Sequence, residues 1–344
     1  MKPKTAWILL VAALTACGGD DPSGAPSTAT GSAGAAGSAG AADRAGAAGE
    51  SAGEPPTPES VLSTSQYDCS AKGPVAPPAR PHAQGCVLDR GCKSRFVAGH
   101  RMANPFAPEN TASALRAAIL LGVDVAETDA RLTKDGRVVL IHDAEIDRTF
   151  AGKGNVEDFT LDELRAIAVR VEPADPSGDF SCERVLTIED AMAIARDKIV
   201  LEFETKRTPA GIAAAKYLRA EGLYGSAYVQ CDATECKAIR AEVADVPISL
   251  RATALADLDL IDELQPVIVE VDPGETWLAA DVRAKITGKG AKVFTNAFVV
   301  ADVKALGSDD LSGYPAMFAS GVDVLQTEFP HWALTALGRL PAKP

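Results

Sequence analysis

His100 and His142 are two of only four histidines in a chain of 344 residues. Each follows a short apolar run, Phe96-Val97-Ala98-Gly99 before the first and Val138-Val139-Leu140-Ile141 before the second. Imidazole has an unperturbed pKa of ~6.5, so one ring suits a base and another, protonated, suits an acid near neutrality. Two acidic stretches accompany them. VDVAETDA, ending at Ala130, puts Val123, Val125, Glu127 and Asp129 on one face if extended. From that stretch alone, a strand that stops at Ala126 and leaves both acids in water fits equally well. LEFETK repeats the pattern, with Glu202, Glu204 and Lys206 on one face. Three or four carboxylates converging at strand ends repel one another unless a divalent cation neutralises them. An all-oxygen donor set favours Mg2+, Ca2+ or Mn2+ over zinc.

Convergence requires a scaffold. From Phe96 onward, strand-like apolar runs recur near residues 96–98, 123–130, 138–141, 199–203, 226–230, 246–250, 267–271, 291–295 and 322–326. Between most of them lie stretches with apolar spacing of three and four, several opening on a cap residue such as Thr111, Thr160 or Thr187. This alternation predicts an α/β fold, a parallel sheet covered by helices. Roughly eight strand–helix units over residues 96–340 match one (β/α)8 TIM barrel. An open doubly wound sheet is the alternative, but no G-x-G-x-x-G follows the first strand. In a barrel the acids and histidines would sit at the C-terminal strand ends, where such folds carry their sites. Residues 143–185 or so exceed a normal connection and read as a small insertion after the second strand region.

The N-terminal part carries no such chemistry. Lys2 and Lys4 precede the apolar run Trp7 to Leu14, too short to span a bilayer, so residues 1–16 read as a signal peptide. Leu14-Thr15-Ala16-Cys17 resembles a bacterial lipobox, which implies cleavage before Cys17 and its acylation. Residues 17–66, rich in Gly, Ala, Ser and Pro, are expected to be a tether, and 67–95 a Cys-containing approach segment. The expected location is an exported bacterial lipoprotein on the outer membrane, held through its lipid anchor. Six further cysteines, Cys69, Cys86, Cys92, Cys182, Cys231 and Cys236, suit disulfides in an exported chain. Six allow fifteen pairings, although Cys86 with Cys92 and Cys231 with Cys236 are close enough to close small loops. No C-x-x-C supports zinc. A net charge of −13 argues against nucleic acid as a partner.

GHR and PENT, then ETD, TKDG, HD, Arg148-Thr149 and ETK together resemble the glycerophosphodiester phosphodiesterase family. Its pattern runs H-R-G, P-E-N-T, E-x-D, T-x-D-G, H-D, R-T-T-x-G, then E-x-K. The resemblance is strongest from Gly99 to Leu164 and loosens toward Glu328, where the family usually has Asp. It implies a (β/α)8 barrel that hydrolyses glycerophosphodiesters to glycerol 3-phosphate and an alcohol with one divalent cation, Ca2+ or Mg2+. It implies Glu127, Asp129 and Glu204 as metal ligands and His100 and His142 as the acid–base pair. Arg101 and Lys206 would hold the phosphate. Met102 replaces the Gly of H-R-G and is expected to narrow the site or shift its loop. Phe150 replaces the second Thr of R-T-T and is also expected near the pocket. The competing readings are a phospholipase D-like enzyme acting on lysophospholipid or sphingomyelin, and a non-catalytic surface lipoprotein that binds phosphodiesters.

Overall fold

Eight parallel strands close into a barrel in a computed structural model that describes residues 55–78, 83–171 and 177–340. The expected signal peptide, Cys17, the tether up to Glu54, and His82 lie outside the described residues. The strands are β1 (Phe96–Gly99), β2 (Val125–Leu132), β3 (Val138–Leu140), β4 (Val200–Thr205), β5 (Ala227–Cys231), β6 (Ile248–Arg251), β7 (Ile268–Glu270), β8 (Lys292–Asn296) and β9 (Val324–Thr327). The ring runs β1, β2, β4 through β9 and back to β1, every pair parallel. Helices lie between most successive barrel strands, as the alternation predicts.

One predicted strand does not belong to the ring. β3 pairs antiparallel with β2 and lies outside the barrel. The reason is length: Thr133 to Arg137 is a tight turn, and a parallel return needs a crossover of a dozen or more residues. Gly136 takes φ +76° in that turn, Gly136 N–H donates to Thr133 O at 2.9 Å, and Thr133 Oγ1 donates to Asp135 at 2.6 Å. The T-x-D-G motif is therefore a hairpin.

Period-two alternation divides the strands cleanly. Leu201, Phe203, Val229, Leu250, Val269 and Val293 join the core between sheet and helices. Phe96, Ala98, Val125, Val200, Tyr228, Ile268, Phe294 and Val324 fill the barrel interior, together with Cys86 and Val87 of the helix Ala83–Leu88. That helix plugs the N-terminal end, where Arg90 donates to Pro266 O at 2.9 Å and to Lys289 O at 3.1 Å. The floor is thus mostly apolar, with the buried Lys292 at the start of β8 reaching Asp89 O, and the acids and histidines lie toward the C-terminal end.

The expected caps form: Thr111, Thr160 and Thr187 each accept from a backbone N–H three residues on. The insertion has its own small core of Val139, Ile141, Ile146, Phe150, Val156, Leu161, Leu164 and Val185. Phe150 is buried in that core. The last part of the presumed tether is structured: residues 58–61 and 64–66 form short helical turns, and Trp332 Nε1 donates to Pro56 O at 2.8 Å. Three disulfides join Cys69 to Cys182, Cys86 to Cys92 and Cys231 to Cys236.

Candidate active site

Register brings the acids together. Glu127 pairs with Glu202 and Asp129 with Glu204 across β2 and β4. One oxygen from each of Glu127, Asp129 and Glu204 lies within 4.8 Å of the others, so the three expected ligands form a single cluster. Glu202 sits one step lower and is held instead by the Tyr228 hydroxyl at 2.7 Å.

The donor set fits a hard cation. Glu127 is 1% exposed, and its Oε1 has no hydrogen-bond partner among the described residues. An orphaned buried carboxylate oxygen is costly, and a bound cation would satisfy it. Glu127 Oε2 accepts from Arg101 N–H at 2.7 Å. Asp129 Oδ2 accepts from Asn110 Nδ2 at 2.7 Å. Asp129 Oδ1 is ion-paired with Lys206 Nζ at 2.9 Å, and the same ammonium reaches Glu204 Oε1 at 2.7 Å. Lys206, expected on the phosphate, thus lies on two of the carboxylates.

Burial, then Asp129 and Glu204, pushes the Glu127 carboxyl well above the usual range. Burial also acts to raise Asp129, but Lys206 and then Arg101 outweigh it and hold that carboxyl low. Burial and then Glu270 likewise push Glu202 up.

Each histidine has a carboxylate at Nδ1. His100 Nδ1 lies 2.7 Å from Glu328 Oε1, and its Nε2 lies 4.0 Å from Glu127 Oε2. His142 Nδ1 lies 2.7 Å from Asp143 Oδ1. His142, expected at the end of a barrel strand, follows β3. It reaches the height of the acids because Ala130 pairs with Leu140 and Ile141 N–H donates to Asp129 O at 2.9 Å. Burial would raise Asp143, but its bonds to His142 and Arg148 hold it low. The same holds for Glu328, where His100 and then Arg101 outweigh burial.

Arg101 is 5% exposed and donates to Glu109 at 2.9 Å, while its Nε lies 4.0 Å from Asp129 Oδ2 and has no hydrogen-bond partner among the described residues. A buried guanidinium held beside a carboxylate cluster, with hydrogen-bonding capacity to spare, suits a phosphate oxygen. Arg148 closes a chain from Asp143 at 2.6 Å to both oxygens of Glu109 at 2.6 and 2.8 Å, tying the insertion to the PENT loop. Asn110, in that loop at φ +56°, joins Asp129 to Thr128.

Met102 does not narrow the site. Arg101 and Met102 take φ +48° and +76°, so the loop turns back sharply, and Met102 N–H donates to Glu127 O at 2.8 Å. The Met102 side chain is fully buried in the core between sheet and helices. Gly99 before it is obligatory, because a Cβ there would lie 1.9 Å from Met102 O. His331 and Trp332 lie in the helix Pro330–Ala336. His331 is 1% exposed and packs edge-on against Phe106 at 5.1 Å.

Sequence reasoning gave no role to Glu328, Arg148 or Phe298, whose ring centroid lies 4.9 Å from that of His100. A carboxylate just past the last barrel strand was the one available signal for Glu328. The R-T motif marks the position of Arg148 but not its partners, and nothing local marks Phe298.

A (β/α)8 barrel with a carboxylate triad and two carboxylate-backed histidines at its mouth defines the class of protein. Residues 98–297 match the model of the glycerophosphoryl diester phosphodiesterase family, and the chain belongs to that family. A glycerophosphodiester phosphodiesterase of Caldanaerobacter subterraneus is 39% identical over 103 residues, 30% of this chain and 41% of that protein. The chain spans less than half the length of this and other curated relatives it matches. Among solved structures, a glycerophosphodiester phosphodiesterase from Agrobacterium tumefaciens aligns with a TM-score of 0.59 at 21% identity, covering 70% of this chain and 99% of that one. An Oleispira antarctica phosphodiesterase in complex with the product sn-glycerol-3-phosphate aligns with a TM-score of 0.57 at 19% identity, covering 71% and 97%. At such identity these likenesses establish the barrel fold.

Proposed function

We propose that this protein hydrolyses glycerophosphodiesters to glycerol 3-phosphate and an alcohol. The observation that carries the reading is the juxtaposition of two histidine–carboxylate pairs with the Glu127, Asp129 and Glu204 cluster. Those three residues would hold one divalent cation, Ca2+ or Mg2+, which when bound polarises a phosphate oxygen and lowers the charge of the phosphodiester. Arg101 contributes its guanidinium to the phosphate. One imidazole takes the proton of the attacking hydroxyl as the new P–O bond forms; that hydroxyl is water, or the substrate's own glycerol hydroxyl, in which case a cyclic phosphate forms first and a water opens it to glycerol 3-phosphate. The other gives its proton to the departing alkoxide as the old P–O bond breaks. Glu328 and Asp143 hold the Nδ1 sides, so proton exchange falls to the opposite ring nitrogens. Acylation at Cys17 and an outer-membrane location belong to the same reading, and three disulfides support an oxidising compartment.

One observation favours a second reading, cleavage of lysophospholipid. Val299, Val300 and Val303 expose 51, 41 and 44% of their surface on the segment that sets Phe298 against His100. The test is turnover of glycerophosphocholine and glycerophosphoethanolamine beside lysophosphatidylcholine, with Ca2+, Mg2+ or chelator. Glycerol 3-phosphate from the first two supports the proposal. Turnover of the lysolipid alone replaces it with the second reading.

A further inference from the structure

His100 is held by more than its carboxylate. The chain after β8 forms a π-helical turn over Phe298–Asp302, with Asp302 N–H donating to Ala297 O, five residues back, at 3.1 Å. Such turns are rare and recur at functional sites. This one places Phe298 on the His100 ring and Asp302 beneath the end of β9. Asp302, fully buried, takes three hydrogen bonds from groups around the end of β9. Its Oδ1 accepts from Thr327 Oγ1 at 2.6 Å and Tyr314 OH at 2.8 Å, and its Oδ2 accepts from Glu328 N–H at 2.9 Å.

The bonded corner is the one that grips His100. Thr327 Oγ1 also accepts from Phe329 N–H at 2.9 Å, so the peptides on both sides of Glu328 are fixed. Thr327 O accepts from His100 N–H at 3.1 Å, and Glu328 Oε1 meets Nδ1. We propose that Asp302 is a positioning residue for His100, acting through Glu328. A buried carboxylate that accepts three donors holds their directions more firmly than a neutral amide would. Glu328 has a longer side chain than the Asp usual in the family, with one more rotatable bond to restrain. Asp302 restrains the backbone from which it projects. This rests on His100 being a proton-transfer group.

The test is a four-protein cycle in the compact unit Glu54–Pro344, which has its own core. It comprises wild type, Glu328→Gln, Asp302→Asn and the double variant, assayed on glycerophosphocholine. Asp302→Asn is expected to lower kcat about tenfold, change KM less than twofold and displace the acid limb of the kcat–pH profile. The double variant is expected to be no slower than Glu328→Gln alone, because residues that act as one unit are not additive. Losses that multiply in the double variant, or an unchanged kcat in Asp302→Asn, would overturn the proposal. Imidazole proton NMR reads the same point without substrate: the His100 Nδ1–H resonance is expected in wild type and broadened in Asp302→Asn. An unchanged resonance overturns the proposal even if no substrate turns over, so its failure is separable from that of the proposed activity. Should Asp302→Asn not fold, Tyr314→Phe removes one donor and keeps the carboxylate. It is expected to lower kcat about threefold, with no further loss in the Glu328→Gln background; equal loss in both backgrounds overturns the proposal.

Discussion

Two histidines in one site are arranged alike, each with a carboxylate at Nδ1. Replacing either His100 or His142 by Ala is expected to lower kcat by about 10²- to 10⁴-fold, as measured in a steady-state assay. Asp143→Ala keeps the ring but removes the carboxylate at its Nδ1, and a loss of about 10- to 100-fold is expected. The carboxylates make a distinct prediction. Burial and its acidic neighbours raise Glu127, so Glu127→Gln is expected to raise the melting temperature without metal at pH 7.5. It should also abolish the further rise that Ca2+ or Mg2+ gives the wild type. Melting curves with and without chelator check both. Glu127, Asp129 and Glu204 were legible because strand alternation puts acids where valines should be. The positions of Glu328 and Arg148 were visible in the family motifs but their roles were not, because what defines them is a partner 228 or 39 residues away.

At the scale of elements, the barrel was legible because a buried parallel sheet writes apolar runs at regular spacing. The exception is instructive. Val138 to Ile141 carries the same apolar signal as a barrel strand, and only the length of the preceding turn assigns it to a hairpin. The π turn after β8 left no trace either, since the segment from Val299 to Leu306 has ordinary helical spacing. Met102 shows two terms in conflict. Its left-handed φ costs about 1 kcal/mol, whereas removing a fully buried side chain of this size costs about 2–5 kcal/mol. Burial wins. Met102→Gly is therefore expected to lower stability by about 1–3 kcal/mol in urea unfolding, while kcat changes little.

The whole molecule is stapled as well as packed. Cys69–Cys182 closes a span of 113 residues and joins the segment before the barrel to the end of the insertion. Next to it, Glu183 accepts from Ser113 N–H at 2.9 Å and so anchors the helix Ala112–Leu121 behind the PENT loop. On loop entropy, replacing this pair by Ala should cost about 4–5 kcal/mol, against about 2 kcal/mol for Cys231–Cys236. Chemical denaturation of the two double variants decides the order. Acid stability follows from His331, whose burial pushes its pKa down to about 3. The unfolded chain binds that proton near pH 6.5 and the folded one does not, so this contribution is intact above pH 6.5 and is lost as pH falls toward 3. By pH 5 the loss is about 2 kcal/mol. His331→Leu is expected to flatten the fall in melting temperature between pH 6.5 and 5.

The central claim is that the triad and both histidines act together on a glycerophosphodiester. The measurement is glycerol 3-phosphate released from glycerophosphocholine by residues 54–344, with Ca2+ or Mg2+ and with chelator, for wild type, His100→Ala and His142→Ala. Release that needs the metal and both histidines is the predicted result. No release by a folded protein that still binds the metal, or release undiminished in either variant, would contradict the account.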